Sequence, residues 1–449
     1  MKKNLFSTAF AVTLLISCSR PEIHASTSEL EAATSLQYKS ALPEQTYSFS
    51  VLQFNIWQEG TKVSGGYDAI VNEIASREPD FVTLSEVRNY NNTSFDQRIV
   101  ASLKAKGKTY YASRGDDNGV LSKYPIKEYS AFSAYHRLVT EVVPGNEVVI
   151  YSGHLDYTYY AVNYPRGYDP ITFKELPAPV TDVNKITEIN DQSKRPQQIQ
   201  DFLSRAKQDI ASGKVVVLGG DFNEASHLDW TEAVKNLYDH RGTVINWSST
   251  STLSKAGFKD SYRVIYPDEV NYPGFTWPAQ SSWAPKSDER DRIDYIFYYD
   301  NGNISVSDSY IVGPKNTIVK NISVPETSKD KFSEPKGIWP TDHKAVWSTF
   351  KVKIPRNNAK ITLNRNSYKL NETIPVSFSS GSTDPKAWIG IYKQGQTPGT
   401  NSSTKWQYTN AKSGTLNFAL DTPGSYYISF FKDNGYTEIA PRVYFSCVN

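Results

Sequence analysis

The chain reads as an α/β protein: a layered domain in which strands alternate with helices, followed by a smaller all-β domain. Three features predict this. The run Val215-Val216-Val217-Leu218-Gly219-Gly220-Asp221 is apolar without polar alternation, as in a strand covered on both faces. Between such runs, apolar residues recur at helical spacing, as in Ile70 and Ile74 or Phe95, Ile99 and Leu103. After Pro355 that spacing stops, and residues 361–449 alternate short β-branched or aromatic runs with Ser, Thr, Gly and Pro turns. A length of 449 residues also exceeds one typical core, so two domains are expected.

The chain opens with Lys2 and Lys3 before an apolar stretch from Leu5 to Ile16. That stretch is too short to span a bilayer and reads as a secretory signal within residues 1–25. Leu15-Ile16-Ser17-Cys18 resembles a bacterial lipobox, which makes Cys18 the lipidated first residue of the mature chain. The competing cut lies after Ala25 and releases a secreted form. Export, as a cell-surface or periplasmic lipoprotein or as a secreted protein, is expected from both. Residues 26–45, rich in Ser, Thr, Ala and Glu, read as a tether.

The first domain, 46–353, begins with a strand from Tyr47 to Asn55. A helix with Ile70 and Ile74 stops at Pro79, and the strand Phe81–Leu84 then delivers Glu86. A helix over about 94–106 ends at Gly107. Short strands follow near Tyr110–Ala112 and Gly119–Ser122. Pro144-Gly145-Asn146 closes a hairpin whose second strand reaches His154. Residues 157–194 read as a long Tyr- and Pro-rich loop, of a length usually tied to function or disorder. A helix with Ile199, Leu203, Ala206 and Ile210 leads into the Asp221 strand. Short structured pieces are expected at 257–262 and 274–278. Arg292–Tyr298 is an apolar strand carrying Asp294, and Asp342-His343 precede the strand Ala345–Phe350. Residues 354–360 link this domain to a β-sandwich over 361–449.

Composition narrows the function. Hydrophobic residues make up 39% and charged residues 21%, which excludes wholesale disorder. Without Lys2 and Lys3 the formal net charge of +2 falls to zero, so nothing supports a large footprint for duplex DNA. Once Cys18 is lipidated, Cys447 has no partner, which removes disulfides and cysteine-bound zinc. Thirty tyrosines suit packing of β-sheets as well as contacts to sugars, lipids or bases.

Eight polar residues close or follow hydrophobic strands: Asn55, Glu86, His154, Asp221, Asn223, Asp294, Asp342 and His343. One such residue alone suits a turn cap. Eight together are expected to gather at one sheet edge, where layered α/β proteins bind ligands. The hard oxygen donors of Asn55, Glu86 and Asp342 suit Mg²⁺ or Mn²⁺. Two histidines beside carboxylates suit proton transfer near neutral pH. The combination describes metal-assisted hydrolysis of a phosphate ester.

The motifs QFNIW (Asn55), SEV (Glu86), GVLSKYPI, SGHLDY (His154), GGDFN (Asp221, Asn223), RIDYIF (Asp294) and TDHKAV (Asp342, His343) stand in one order. With them, Tyr47 to about Lys353 resembles the endonuclease/exonuclease/phosphatase superfamily, the DNase I-like fold. The resemblance implies a four-layer α/β/β/α sandwich of two packed mixed sheets. It implies that Asn55 and Glu86 hold a divalent cation with Asp342 near it. It further implies that Asp294 orients His343 as general base or phosphate contact, and that Asp221 aligns or deprotonates water or helps with a second metal. Asn223 would contact phosphoryl oxygens and His154 would assist the phosphate or the leaving group. The residues after His154 depart from the His-x-x-x-Ala-Pro pattern of digestive deoxyribonucleases, and Thr341 replaces the commoner Ser.

The expected activity is therefore an exported, monomeric phosphoesterase acting on phosphodiesters, as a nuclease or a sphingomyelinase-like phospholipase. A phosphomonoesterase of inositol phosphates or nucleotides would need several cleft cations, for which Arg166, Lys174 and Arg195 are candidates. The contrasting reading is a surface-displayed binding protein on the same scaffold. Its membrane contact would run through Cys18, and the C-terminal sandwich would serve as docking module or spacer.

Overall fold

Strands of the first domain carry apolar side chains on both faces, so each must be covered twice. In β1 (Thr46–Asn55), Phe49 and Val51 point one way while Leu52 and Phe54 point the other. The same split holds in β8 (Val215–Asp221), where Val215 and Val217 oppose Val216 and Leu218. The computed structural model describes residues 45–143, 145–354, 359–379, 385–432 and 434–449. The signal segment with Cys18, most of the tether and the middle of the linker lie outside the described residues. The described residues form two compact units, one ending at residue 354 and one starting at 359.

In the first unit, a seven-stranded sheet runs in the order β14 (Phe332–Ser333), β11 (Ile304–Val312), β15 (Ala345–Lys353), β1, β2 (Phe81–Val87), β4 (Asp117–Ser122) and β3 (Tyr111–Ala112). A six-stranded sheet runs in the order β5 (Ile126–Phe132), β6 (Tyr135–Val143), β7 (Asn146–His154), β8, β10 (Asp294–Tyr299) and β9 (Phe258–Asp260), and β12 (Asn316–Val319) pairs with β13 (Ile322–Pro325) in a separate ribbon. Both sheets mix parallel and antiparallel neighbours: β1 lies parallel to β2 and antiparallel to β15, and β8 lies parallel to β7 and antiparallel to β10. Their inner faces meet through Phe49, Val51, Phe81, Ile150, Val217, Ile296 and Phe350. The outer face of the larger sheet packs on the helices Gly66–Arg77 and Phe95–Ala105 through Ile70, Ile74, Ile99 and Leu103. Ile199, Phe202 and Ala206 of the helix Arg195–Ala211 cover the smaller sheet. This is the expected four-layer sandwich.

Gly219 shows how closely the sheets approach. A Cβ there would sit 2.2 Å from the Thr83 hydroxyl, which is itself held by Gln53 Oε1 at 2.6 Å. Gly220 is equally pressed, with the Gly153 carbonyl 2.6 Å from where a Cβ would stand. Gly219 is needed for contact between the layers and Gly220 for the close approach of the adjacent strand β7.

Several expectations are corrected. Residues 157–194 are not a plain loop: they contain the helical segments Asn163–Arg166 and Val183–Asp191, the latter capped by Asp182 through the N–H groups of Asn184 and Lys185. The strands Ile126–Phe132 and Ile304–Val312 and the helix Ser248–Lys255 were not anticipated. Ile304–Val312 escapes pattern reading because serines fill its alternate positions and a bulge between Val306 and Asp308 breaks its period.

The second unit is a sandwich of a three-stranded and a five-stranded sheet. Ile374, Val376 and Phe378 face Ile389, Ile391, Ile428 and Phe430 across its core, which also buries the free Cys447. The other face of the five-stranded sheet carries a second aromatic layer of Trp388, Tyr392, Tyr427 and Phe431.

His136 sits buried in β6, its Nε2 2.5 Å from the Ser113 hydroxyl and its Nδ1 without a partner. Burial pushes its pKa down to about 4. Between about pH 6.5 and 4, then, only the unfolded chain takes up this proton, and stability falls as pH falls through that window. The loss is of order 2–3 kcal/mol at pH 4.5 relative to pH 7. Urea unfolding of His136→Gln at both pH values should show a correspondingly smaller acid loss than wild type.

Candidate active site

Strand parity explains why the polar residues meet. Asn55 follows Phe49 and Val51 on the inner face of β1, and Asp221 follows Val215 and Val217 on β8. His154 follows Val148 and Ile150 on β7, and Asp294 shares its face with Ile296 on β10. All four strands therefore deliver a polar side chain to the same end of the inter-sheet seam. Asp294 and Asp221 are direct partners in the β10–β8 register, and His154 and Asp221 are partners between β7 and β8.

Asp221 is the hub. Its Oδ2 accepts from Asn55 Nδ2 at 2.8 Å and lies 3.8 Å from Nε2 of both His154 and His343. Its Oδ1 accepts from the Asn223 N–H at 2.9 Å. Burial, then the like charge of Asp294, raise the Asp221 pKa against the pull of the two histidines. Nδ1 of His343 pairs with Asp294 Oδ2 at 2.8 Å, which turns Nε2 toward Asp221 and Asn55. Burial alone would make His343 less basic, but the carboxylates of Asp294 and Asp221 prevail and push it up to about 10. Nδ1 of His154 pairs with Asp117 Oδ2 at 2.9 Å. There too the carboxylates outweigh burial and raise the imidazole pKa.

Glu86 reaches the site by breaking parity. Val82 and Leu84 face the helices, and an unbroken strand would send residue 86 after them. Instead the β2–β4 register shifts between Ser85 and Val87, and Glu86 adopts φ 70°. A bulge of this kind re-aims a side chain at some conformational cost. Glu86 then accepts from Asn55 Nδ2 at 3.2 Å and from the Gln58 N–H at 3.1 Å. Asp342 Oδ2 accepts from Ser281 at 2.9 Å, while its buried Oδ1 has no partner. Burial, aided by the charge of Glu86, pushes Asp342 up to about 6.

Ligand atoms of Asp221, Asp294 and His343 lie within 4.8 Å of one another and form a candidate metal group. Within it, Asp294 and His343 already share a proton at 2.8 Å. Asp342 Oδ1 is the oxygen left unsatisfied, as a cation's ligand would be when the cation is removed.

Glu86, His154, Asp221, Asn223, Asp342 and His343 line one cavity of about 350 Å³, with Asn55 and Asp294 behind them. Asn223, at φ 47°, also ties its side chain to the Leu155 carbonyl at 3.0 Å. Most of the remaining lining is aromatic (Trp57, Tyr157, Tyr160, Phe173, Trp277 and Trp283), together with Gln58, Arg88 and Ile293. Arg88, the cation of that lining, is paired with Asp117 and Glu86. The cations considered for polyanion binding are placed elsewhere. Arg166 is buried against Asp291 and the carbonyls of Asp288 and Arg290, and Arg195 is buried against Glu224, Asn190 and three carbonyls. Lys174 is exposed outside the lining.

Sequence reading passed over four site residues. Asp117 orients His154, and Gln53 donates to Asp294 Oδ1 at 3.3 Å. Trp277 packs against the His343 ring at 5.0 Å, tilted by 55°, and Ser281 holds Asp342. Only Gln53 carries a signal, as a polar residue that follows Tyr47, Phe49 and Val51 on the inner face of β1.

This chain belongs to the Endonuclease/Exonuclease/phosphatase family, whose match spans residues 52–343. Membership implies a hydrolase of phosphate esters, and the two packed sheets have the DNase I-like architecture. An uncharacterised protein of Caenorhabditis elegans is 29% identical over 269 residues, covering 55% of this chain and 77% of that protein. Among solved structures, ANGEL2, a 2',3'-cyclic phosphatase in complex with adenosine-2',3'-vanadate, is 14% identical with a TM-score of 0.40 over 69% of this chain and 97% of that one. An AP endonuclease from Archaeoglobus fulgidus is 15% identical with a TM-score of 0.38 over 67% and 98%.

Proposed function

We propose that the protein is an exported phosphodiesterase that requires a divalent cation, Mg²⁺ or Mn²⁺. The observation that carries this reading is the grouping of Asp221 with two carboxylate-oriented histidines beside the unpartnered Asp342 oxygen. The carboxylate oxygens of Glu86 and Asp342 fit a hard cation. Asn55, whose Nδ2 faces Glu86 and Asp221 and whose Oδ1 accepts from the Trp57 N–H, would join them only with its amide turned over. When bound, the cation would neutralise charge on the phosphoryl oxygens.

The chain's own groups divide the remaining work. Asp221, with its pKa raised, takes the proton of the attacking water. His343, fixed by Asp294, donates from Nε2 to a phosphoryl oxygen, and Asn223 steadies another. His154, fixed by Asp117, donates to the departing oxygen. Confinement of Arg166 and Arg195 to structural pairs favours a substrate with a single phosphate over inositol polyphosphates. The export expected from the N-terminal stretch would put this activity outside the cytoplasm, on the membrane if Cys18 is lipidated.

The test compares hydrolysis of bis(p-nitrophenyl) phosphate and p-nitrophenyl phosphate, with and without Mg²⁺, by the mature chain and by Glu86→Ala and His343→Ala. The diester is expected to be cleaved faster, and both variants to lose at least about 100-fold. Equal background signal from all three proteins would favour the binding-protein reading.

A further inference from the structure

Residues 279–289 pass beside the cleft without forming helix or strand, yet they grip Asp342 at two points. The Ala279 N–H donates to the Asp342 carbonyl at 2.6 Å, and the Ser281 hydroxyl donates to Oδ2 at 2.9 Å. Between them, Gln280 Nε2 donates to the Trp339 carbonyl at 2.6 Å, just ahead of Asp342 in the chain. A carboxylate is free to turn about its last bond and to offer either oxygen. A hydroxyl fixed on Oδ2 removes that freedom and leaves Oδ1, which has no partner, as the oxygen open to an ion.

The hydroxyl is useful only if its own segment stays put, and no ladder or helix holds it. Glu289 does so instead. Only 2% exposed, it accepts from the Trp283 N–H with both oxygens at 3.1 Å, and Oε2 also accepts from the Ala284 N–H at 3.0 Å. Ser287 closes the same turn, its N–H and its hydroxyl both donating to the Ala284 carbonyl at 2.9 and 3.0 Å. One side chain thus gathers backbone donors that a neighbouring strand would otherwise satisfy. Burying a carboxylate on neutral donors costs more than burying an apolar side chain. What it secures here is the turn that begins two residues after Ser281.

We propose that Ser281 is a positioning residue for the divalent cation, presenting Oδ1 of Asp342, and that Glu289 acts through Ser281 by fixing the segment that carries it. Neither residue is a ligand. The proposal rests on the cation of the phosphodiesterase reading, and its test tells the two apart.

Titration calorimetry of Mg²⁺ into the mature chain reads the ion without turnover. Ser281→Ala should bind about 10- to 100-fold more weakly than wild type, the usual effect of losing the outer partner of a metal ligand. Ser281→Thr keeps the hydroxyl and should regain most of the affinity. Glu289→Gln keeps the shape but brings an NH2 against two N–H donors. It should weaken binding in the wild-type background and add little in Ser281→Ala, because its effect runs through that hydroxyl. In chelator, the melting midpoints of Ser281→Ala and wild type should agree within about 4 °C, the size of one lost hydrogen bond.

Equal Mg²⁺ affinity in wild type and Ser281→Ala would overturn the proposal and leave the cation reading standing. No binding by wild type at millimolar Mg²⁺ would remove both. Full additivity of Glu289→Gln with Ser281→Ala would overturn the link between the two residues.

Discussion

Asp221→Asn will give a folded protein whose turnover is lower by about 10³-fold or more. The carboxylate is buried among Asn55, His154, His343 and Asp294. The amide keeps its shape but cannot accept water's proton. Because the charge of Asp294 opposes that of Asp221, removing one of the two relieves repulsion. The thermal midpoint should therefore stay level or rise while activity disappears, a trade between stability and function expected at a site built from like charges. Retention of activity within tenfold would move the base role to His343.

The second large effect concerns the cation. Asp342 is a buried carboxylate with one unsatisfied oxygen, beside the negative charge of Glu86. Mg²⁺ or Mn²⁺ at a hundred times its dissociation constant should stabilise the wild type by about 2.7 kcal/mol. In the metal-free state Asp342→Asn should be the more stable protein, since its amide costs less to bury. With metal the order should reverse, because the variant gains little from the ion. Scanning calorimetry of both proteins in chelator and in excess Mg²⁺ reads this crossing directly. A wild-type midpoint that ignores either ion up to millimolar concentration would remove the cation from Asp342.

How far the sequence could be read is clearest at two neighbouring strands. For β8 the apolar run, the two glycines and Asp221 were all informative, because a strand covered on both faces leaves no polar residue to confuse the pattern. For β2 the presence of Glu86 was legible, but its direction was not. Simple alternation sends it toward the helices, and only the bulge returns it to the cleft. The family motifs supplied what alternation could not. Asp117, the first residue of β4, and Ser281, in an irregular stretch, stay hidden because each acts through a histidine or a carboxylate contributed by distant chain. The long segment after His154 reads as a loop because its short helices hold too few turns to show a period.

The cleft is assembled from two sheets. Asn55, Glu86, Asp342 and His343 come from the ends of the seven-stranded sheet, and His154, Asp221 and Asp294 from those of the six-stranded one. Neither half owns a complete set of reacting groups. Catalysis thus doubles as a gauge of interlayer alignment: a slip of either slab along Gly219 and Thr83 would silence the enzyme while leaving its secondary structure intact.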